Sequence, residues 1–380
     1  MNITKLKKLS YDEVAKCNRC GFCLPSCPIY NVQKMESASP RGRNSITRAV
    51  IEKRLPWSPE IEKSIFSCLG CGACTAACFP SVKTSELVFR DRECLVKEGL
   101  YPTIADSLAK YLEANHNISN EDNEERGEWR EFFRDLPEHS FEKDRADVIY
   151  FVGCVSSFYP MAQKIPVNMA RIMERAEMDF TILSGEEWCC GFPLIGAGMP
   201  EKMKALMDHN LEKVREVGAK KIVFTCPSCY HTWKTLYHPD VEIVSSSELL
   251  EQLILEKQIP LKEINAVVTY HDPCDLGRNS GLFEPPREVL RTIPGIRLVE
   301  LPNNRIMSVC CGGGGNLEMV DPELSGKVAQ MKIEEILSTG ADMVVSSCQQ
   351  CLRTISTRAR RQRIDLVVKD LTELVAEAMQ

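Results

Sequence analysis

Short apolar runs alternate with segments of helical periodicity along the second two thirds of the chain. The runs Asp147–Val152 and Ala266–Tyr270 have the length and composition of buried strands, and Pro160–Met178 carries apolar side chains at helical spacing. Three further runs predict strands, namely Phe180–Leu183, Lys221–Thr225 and Met343–Val345. Because these strands alternate with helices, the pattern predicts an α/β fold with parallel sheets.

Composition departs from that of an ordinary globular protein only in the cysteines. The chain has 380 residues, a net charge of −6 and 19 cysteines. A mildly acidic chain has no general attraction for nucleic acid, so we expect no nucleic-acid partner. The first residues lack a signal-peptide core, and no apolar run is long enough to span a bilayer. We therefore expect a cytoplasmic protein, attached to the inner face of the membrane only through a partner subunit. In that compartment thiols stay reduced, and clustered cysteines indicate metal or redox chemistry.

Eight cysteines form two runs with the spacing C-x2-C-x2-C-x3-C, which start at Cys17 and Cys68. Bacterial ferredoxins have this spacing, and in them the fourth cysteine of each run binds the other [4Fe–4S] cubane. We therefore expect a first cubane set of Cys17, Cys20, Cys23 and Cys78, and a second cubane set of Cys68, Cys71, Cys74 and Cys27. Zinc is the alternative, but it prefers two separated pairs of ligands.

Ten further cysteines form an internal repeat, in which each copy has a single cysteine, a Cys-Cys pair and a C-x2-C pair. The first five-cysteine set is Cys154, Cys189, Cys190, Cys226 and Cys229, and the second five-cysteine set is Cys274, Cys310, Cys311, Cys348 and Cys351. Such a repeat predicts two similar domains in tandem. Because the carboxyl ends of parallel strands share one edge, the five cysteines of each copy are expected to meet there.

These patterns divide the chain into four segments. We expect a ferredoxin-type domain over residues 1–114 and a charged connector with some helix over residues 115–145. The first cysteine-rich domain is predicted over residues 146–262, and the second over residues 263–380. Cys94 belongs to none of the four groups and is interpreted as a small buried side chain.

Two ferredoxin motifs followed by two cysteine-rich "CCG" domains resemble the D subunit of heterodisulfide reductase and the iron–sulfur subunit of glycolate or lactate oxidases. The resemblance implies a small α-helical ferredoxin-like domain and two tandem Rossmann-like repeats. It also implies that each five-cysteine set binds a [4Fe–4S] cluster of noncubane type, in addition to the two cubanes. The presence of all ten cysteines favours the reductase type, whereas Pro40–Arg43 is similar to a stretch of the oxidase-type subunits.

Three functions follow as hypotheses. The first is an oxidoreductase subunit of an anaerobic complex, which relays electrons through the cubanes to the two five-cysteine sites for disulfide- or thiol-linked chemistry. Each site would bind one sulfur of a small-molecule disulfide, with Cys190 and Cys311 as catalytic residues. The second is an electron-transfer subunit of an FAD-linked 2-hydroxy acid dehydrogenase complex. The third is a metal-stabilised interaction protein without a redox role.

Partners are implied because the chain shows no flavin or NAD site of its own. The expected partners are a flavoprotein dehydrogenase or a b-type cytochrome or other membrane subunit. His231 and His271 lie beside predicted cluster cysteines and are candidates for proton donors, although a structural role is the commoner one for such a histidine. Asp272 and Arg278 have the same two interpretations.

Two other motifs have simple interpretations. Gly312–Gly315 lacks the remainder of a phosphate-binding motif, so we interpret it as a close approach of the backbone to the cluster. The basic run Arg358–Arg363 is interpreted as a solvated helix face or a docking site for an acidic partner.

Overall fold

The computed structural model describes residues 11–131 and 141–380. Residues 132–140, part of the predicted connector, and residues 1–10 lie outside the described residues. The described chain has a helical amino-terminal part, followed by two units that each contain a four-stranded parallel sheet flanked by helices.

The described amino-terminal part contains seven α-helices and a short 3₁₀ helix, Glu36–Ala38. The α-helices are α1 Tyr11–Ala15, α2 Pro28–Gln33, α3 Pro40–Ile51, α4 Pro59–Phe66, α5 Ala73–Ala76, α6 Thr84–Lys97 and α7 Ile104–Ala114. Proline opens three of these helices, where its missing N–H costs nothing. The side chains of Ser39 and Ser58 cap α3 and α4 by accepting hydrogen bonds from backbone N–H groups. A 3₁₀ helix over Asn123–Arg130 follows in the connector.

The first repeat has the strand order β2-β1-β3-β4, with every neighbouring pair parallel. Its strands are β1 Val148–Phe151, β2 Phe180–Thr181, β3 Lys221–Phe224 and β4 Glu242–Ser245. Its helices are α8 Cys154–Phe158, α9 Lys164–Arg175, α10 Phe192–Gly196, α11 Lys204–Val217, α12 Pro227–Thr232 and α13 Ser246–Leu255. A single π-helical turn over Trp233–Tyr237 continues α12.

The second repeat has the same topology, with the order β6-β5-β7-β8. Its strands are β5 Ala266–His271, β6 Ile296–Glu300, β7 Met343–Ser346 and β8 Val367–Asp370. Its helices are α14 Pro285–Thr292, α15 Leu317–Val320, α16 Pro322–Leu337, α17 Gln349–Arg361 and α18 Leu371–Ala378. In both sheets the first strand lies between the second and the third, so each has a topological switch point at its centre.

A hydrophobic core common to both repeats holds them together. It contains Tyr150 of β1 and Tyr270 of β5, together with Met173 of α9 and Leu374 of α18, and all four side chains are buried. Burial of apolar surface from both sheets in one cluster gives the two repeats a fixed relation to each other.

The predicted α/β class with parallel strands is confirmed. Strand β2 is shorter than the predicted Phe180–Leu183, because the N–H of Ile182 donates to the carbonyl oxygen of Phe141 instead of continuing the ladder. The boundaries proposed for the four segments stay predictions. Over the described residues, no helix has the length and apolar character needed to cross a bilayer.

Candidate metal centres

The first cubane set lies at the edge of the helical part, between the end of α1 and the loop after α5. A small cavity of about 20 Å³ is lined by its four members, Cys17, Cys20, Cys23 and Cys78, and also by Cys74. Cys20 is exposed, and Cys78 Sγ accepts a hydrogen bond of 3.4 Å from the N–H of Val82. The set is therefore accessible from the surface.

The second cubane set lies deeper in the molecule. A second cavity of about 20 Å³ is lined by Cys27, Cys68, Cys71 and Cys74. Cys27 caps α2, where its Sγ accepts from the N–H of Tyr30 at 3.5 Å, and Cys68 Sγ accepts from the N–H of Gly70 at 3.4 Å. Each cavity thus contains the first three cysteines of one run and the fourth cysteine of the other, and the first cavity contains Cys74 in addition. The crossed ligation itself stays a prediction.

The two five-cysteine sets face each other across one cavity of about 260 Å³, which all ten cysteines line. In the first repeat, Cys154 follows β1 and Cys226 follows β3, at the two strand ends that flank the switch point. Cys274 and Cys348 occupy the corresponding places after β5 and β7. Residues of the amino-terminal part, among them Leu69, also line this cavity.

Thiols within each five-cysteine set are close enough to exchange hydrogen bonds. Hydrogen bonds with Cys189 and Cys229 lower the pKa of Cys190 to about 6, despite its burial. Hydrogen bonding with Cys310 and Cys351 likewise holds the pKa of Cys311 well below its usual value. Cys190 and Cys311, the second cysteine of each Cys-Cys pair, are therefore surrounded by donors that favour a thiolate, which is the form that binds metal.

Polar contacts between the repeats keep the two sets facing each other. Ser228, within the C-x2-C pair of the first repeat, donates to the Asp275 carboxylate beside Cys274 at 2.6 Å. In the other direction, Gln349 of the second repeat donates to the carbonyl oxygen of Val152 at 2.6 Å and accepts from the N–H of Ser156 at 3.2 Å. Each repeat thus helps to position the cysteine loops of the other.

A buried ion pair supports the first five-cysteine set. Arg126 and Glu187 lie 2.8 Å apart, and the side chains of both are 1% exposed. The Glu187 carboxylate also accepts from the N–H groups of Val152 and Gly153, and Arg126 Nη2 lies 3.4 Å from Cys154 Sγ. Sequence reasoning missed Arg126, which stands in the charged connector without a motif.

A different set of charges supports the second five-cysteine set. The Asp272 carboxylate accepts two hydrogen bonds from Arg287, at 2.7 and 2.9 Å, and a third from the N–H of Arg305. Asp272 therefore has the structural role that was one of its two interpretations. Arg278 instead extends toward the second cubane set, where its Nε donates to the carbonyl oxygen of Cys71 at 2.9 Å.

The glycine run Gly312–Gly315 approaches the second cubane set. Gly315 has a φ of +59°, and a Cβ there would lie 2.7 Å from the carbonyl oxygen of Cys68, while one at Gly314 would lie 3.0 Å from that of Leu69. The approach of this run to the cluster beside Cys311 stays a prediction, and the close approach observed at these two glycines is to another part of the backbone. Its partner is the Cys68–Leu69 loop.

The two histidines differ in their surroundings. His271 is 1% exposed, neither ring nitrogen has a hydrogen-bond partner among the described residues, and its ligand atom lies within 4.8 Å of those of Cys311 and Cys351. Burial lowers the pKa of His271 to about 3, so its ring is neutral at neutral pH. His231 lines the shared cavity, and its Nδ1 is 3.1 Å from Ser280 Oγ.

The donor set fits iron–sulfur clusters. All 19 cysteines are free thiols, and the eighteen of the four groups line three cavities. Backbone N–H groups donate to Sγ of Cys27, Cys68, Cys78 and Cys348, which is a common environment of cluster thiolates. Cys94 lies on α6 outside these groups and is partly exposed, so it is less buried than expected.

Comparison with known families supports this description of the donors. The chain matches the model of a 4Fe-4S dicluster domain over residues 13–82. It matches the model of a cysteine-rich domain, named CCG, over residues 148–234 and again over residues 268–356.

Curated relatives resemble the chain over its length. The D subunit of the dihydromethanophenazine:CoB–CoM heterodisulfide reductase of Methanosarcina mazei is 32% identical over 100% of this chain and 96% of its own length. The EtfAB:quinone oxidoreductase of Syntrophomonas wolfei is 25% identical over 97% of this chain and 58% of the relative. The B subunit of the fumarate reductase (CoM/CoB) of Methanothermobacter marburgensis is 24% identical over 98% of this chain and 74% of the relative.

Proposed function

The chain belongs to the family of the heterodisulfide reductase D subunit, and from this premise we propose that it is an iron–sulfur oxidoreductase subunit of a multi-subunit complex. Its ferredoxin-like helical domain binds two cubanes at the first and second cubane sets. Its two Rossmann-like repeats bind one noncubane cluster each at the five-cysteine sets. The complex reduces a disulfide in the cavity between the repeats.

The observation that carries this proposal is the single cavity that all ten cysteines of the repeats line. Breaking a disulfide releases two thiolates, and two metal sites that face one space are able to receive one sulfur each. A structural metal site has no need of a facing partner, because a closed coordination shell is sufficient for stability.

Iron–sulfur clusters held by these cysteines supply one-electron transfer. The overall reaction joins one disulfide, two electrons and two protons to give two thiols. The electrons come from a partner redox protein, either a flavoprotein dehydrogenase or a b-type cytochrome. His231 lines the cavity and is placed to give one proton to a departing thiolate, whereas the neutral and buried His271 is better suited to accept or donate a fixed hydrogen bond.

Contacts between the sets support an order of electron transfer. Cys20 of the first cubane set is exposed, which suits reduction by a partner protein. Cys74 lines the cavities of both cubane sets, and Cys71 of the second set hydrogen bonds with Cys310 of the second repeat. Electrons therefore pass from the first cubane set to the second, and then to the second five-cysteine set before the first.

A second candidate is electron transfer without disulfide chemistry, as the iron–sulfur subunit of an FAD-linked 2-hydroxy acid dehydrogenase complex. A relative that is named an EtfAB:quinone oxidoreductase favours this role, because its name describes electron transfer between two other carriers. In that case the five-cysteine sets are relays, and the cavity holds no substrate.

An assay with reduced viologen and small-molecule disulfides tests the first candidate. The anaerobically purified protein should oxidise the dye when a disulfide is present, and Cys190→Ser or Cys311→Ser should lower the rate at least about 100-fold. Cys94→Ser is the matched control, because Cys94 lies outside the four groups, and it should keep the wild-type rate.

Two results would contradict the proposal. Iron analysis that gives about eight irons per chain, with cubane signals only in electron paramagnetic resonance, would exclude clusters in the repeats. Failure to reduce any disulfide, combined with reduction of the clusters by a flavoprotein and its 2-hydroxy acid, would establish the second candidate instead.

A further inference from the structure

Arg278 lies where the second cubane set touches the second five-cysteine set. Its guanidinium donates to the carbonyl oxygen of Cys71 at 2.9 Å and to that of Ser308. The thiol of Cys310 is within hydrogen-bonding distance of both Cys71 and Cys274. One guanidinium therefore lies beside cysteines of two predicted clusters.

Among the described residues, no carboxylate forms an ion pair with Arg278. Its hydrogen bonds go to backbone carbonyl oxygens, and Nη2 is buried without a partner in the part of the chain that the structure describes. The two nearby acids are engaged elsewhere, Asp272 with Arg287 and Asp275 with Ser228 and Asn279. Burial acts to lower the pKa of Arg278, but the surrounding thiols outweigh it and the pKa is raised.

The first repeat differs at the corresponding place. Phe158 stands four residues after Cys154, as Arg278 stands four residues after Cys274. The cation near Cys154 is Arg126, whose charge is compensated by Glu187 at 2.8 Å. The cation beside the first five-cysteine set thus has a carboxylate as its direct partner. Among the described residues Arg278, beside the second set, has no such ion pair, and the Asp275 carboxylate next to Cys274 is bonded to Ser228 and Asn279 instead.

We propose that Arg278 is a charge-compensating residue, which makes the second cubane set and the second five-cysteine set easier to reduce than their counterparts. An added electron increases the negative charge of a cluster, and a nearby cation in a medium of low dielectric constant stabilises that state. With clusters bound at both sets, the step that Arg278 would favour is the transfer of one electron from the second cubane set to the second five-cysteine set, with no bond made or broken. The inference rests on the proposed function only in requiring that these sets bind clusters.

The test is a redox titration of the full-length protein, purified anaerobically, with electron paramagnetic resonance as the readout and iron content measured alongside. Cys190→Ser and Cys311→Ser backgrounds assign the signals of the two five-cysteine sets. Arg278→Gln removes the charge and keeps an N–H donor. In this variant the equilibrium constant for one-electron reduction of each neighbouring cluster should fall about tenfold, which lowers its reduction potential by about 59 mV. The first cubane set should keep its potential, and Arg278→Lys should restore most of the shift.

Arg126→Gln is the matched control in the first repeat. Because Arg126 lies beside Cys154 and near Cys189, both of the first five-cysteine set, this change should lower the potential of that set and leave the second cubane set unchanged. Unchanged potentials in Arg278→Gln with full iron content would overturn the inference, as would Arg278→Lys shifting as far as Arg278→Gln. Loss of iron from both Arg278→Gln and Arg278→Lys would also overturn the inference, since Arg278 would then have a structural role.

The titration separates this inference from the proposed function, because it needs neither a disulfide nor a partner protein. A potential shift in a protein that reduces no disulfide would support the role of Arg278 and contradict the reductase. Disulfide reduction by the wild type, with no potential shift in Arg278→Gln, would support the reductase and contradict the role of Arg278.

Discussion

Buried charged residues in this protein serve the cysteine sites through hydrogen bonds and charge. Four arginines are among the largest fully buried side chains, namely Arg43, Arg92, Arg126 and Arg287. Arg126 and Arg287 form ion pairs with carboxylates. Arg43 and Arg92 donate to backbone carbonyl oxygens, and Arg43 also donates to a hydroxyl. Burial of a charge is costly without such partners, so each of these residues fixes a particular arrangement of the loops around it.

Asp91 is a buried acid that should make stability depend on pH. The side chain is 0% exposed, and only one of its oxygens has a partner among the described residues, the hydroxyl of Thr47 at 2.5 Å. Burial raises the pKa of Asp91 to about 8, although Thr47 and Arg90 act to lower it. Since an unfolded aspartate has a pKa of about 3.9, the folded state binds the extra proton between these values, and stability falls as pH rises through that window.

Asp91→Asn should remove this dependence. When the pH is raised from about 6 to about 9, the free energy of unfolding of the wild type should fall. The fall should be up to about 1.4 kcal/mol per pH unit as long as the pH is below the folded pKa of Asp91, and it should be smaller in the variant. Urea unfolding midpoints at both pH values provide the measurement. Glu93→Gln, on the same helix and only partly buried, serves as the control. Equal pH dependence in wild type and Asp91→Asn would show that Asp91 is ionised in the folded protein.

At the scale of elements, the loop between β6 and α15 carries a contact between the second repeat and the second cubane set. Gly315 sits at φ +59° with the carbonyl oxygen of Cys68 2.7 Å from where a Cβ would be. Gly340, between α16 and β7, has a similar φ of +66° but nothing within 4 Å of the same point. A substitution at Gly340 would therefore introduce backbone strain alone, whereas one at Gly315 would introduce backbone strain and crowding.

Gly315→Ala should therefore be much more harmful than Gly340→Ala. Both changes place alanine in the left-handed region at a cost of about 1–2 kcal/mol, and crowding against the Cys68–Leu69 loop adds about 1–3 kcal/mol at Gly315 only. Urea unfolding of the two variants measures the difference, and stopped-flow reduction should show slower electron transfer to the second five-cysteine set in Gly315→Ala. Similar losses in both variants would mean that the loop yields to the added methyl group.

Helices, strands and cysteine groups can be predicted from the sequence because their signals are local. Contacts between residues that are far apart along the chain cannot be predicted in this way. Apolar runs mark β1 and β5, and cysteine spacing sorts eighteen cysteines into four groups, because each pattern lies within a few residues or repeats at a fixed distance. The partner of Gly315 is different, since Cys68 lies far away along the chain and no periodicity records the contact. Arg126 beside Cys154 is a second example, because nothing in the connector distinguishes it from other charged residues.

At the scale of the whole molecule, Arg92 of α6 joins all three parts of the chain. It is 0% exposed and donates to the carbonyl oxygens of Ile65, Phe66 and Cys68 in the helical part. It also donates to the carbonyl oxygen of Gly196 in the first repeat at 2.7 Å and to that of Gly315 in the second at 2.9 Å. One guanidinium thus contributes to the relative position of the second cubane set and both repeats.

Arg92→Met should loosen the helical part from the repeats, because five carbonyl oxygens each lose a hydrogen bond from the buried guanidinium while the apolar stem is kept. Breaking such a buried charged network costs about 3–5 kcal/mol. The urea midpoint should fall accordingly, and limited proteolysis should release the helical part from the repeats. Lys97→Met removes an exposed charge from the last turn of the same helix and should change the stability by less than about 0.5 kcal/mol. If Arg92→Met matched Lys97→Met in both measurements, apolar packing and not Arg92 would hold the three parts together.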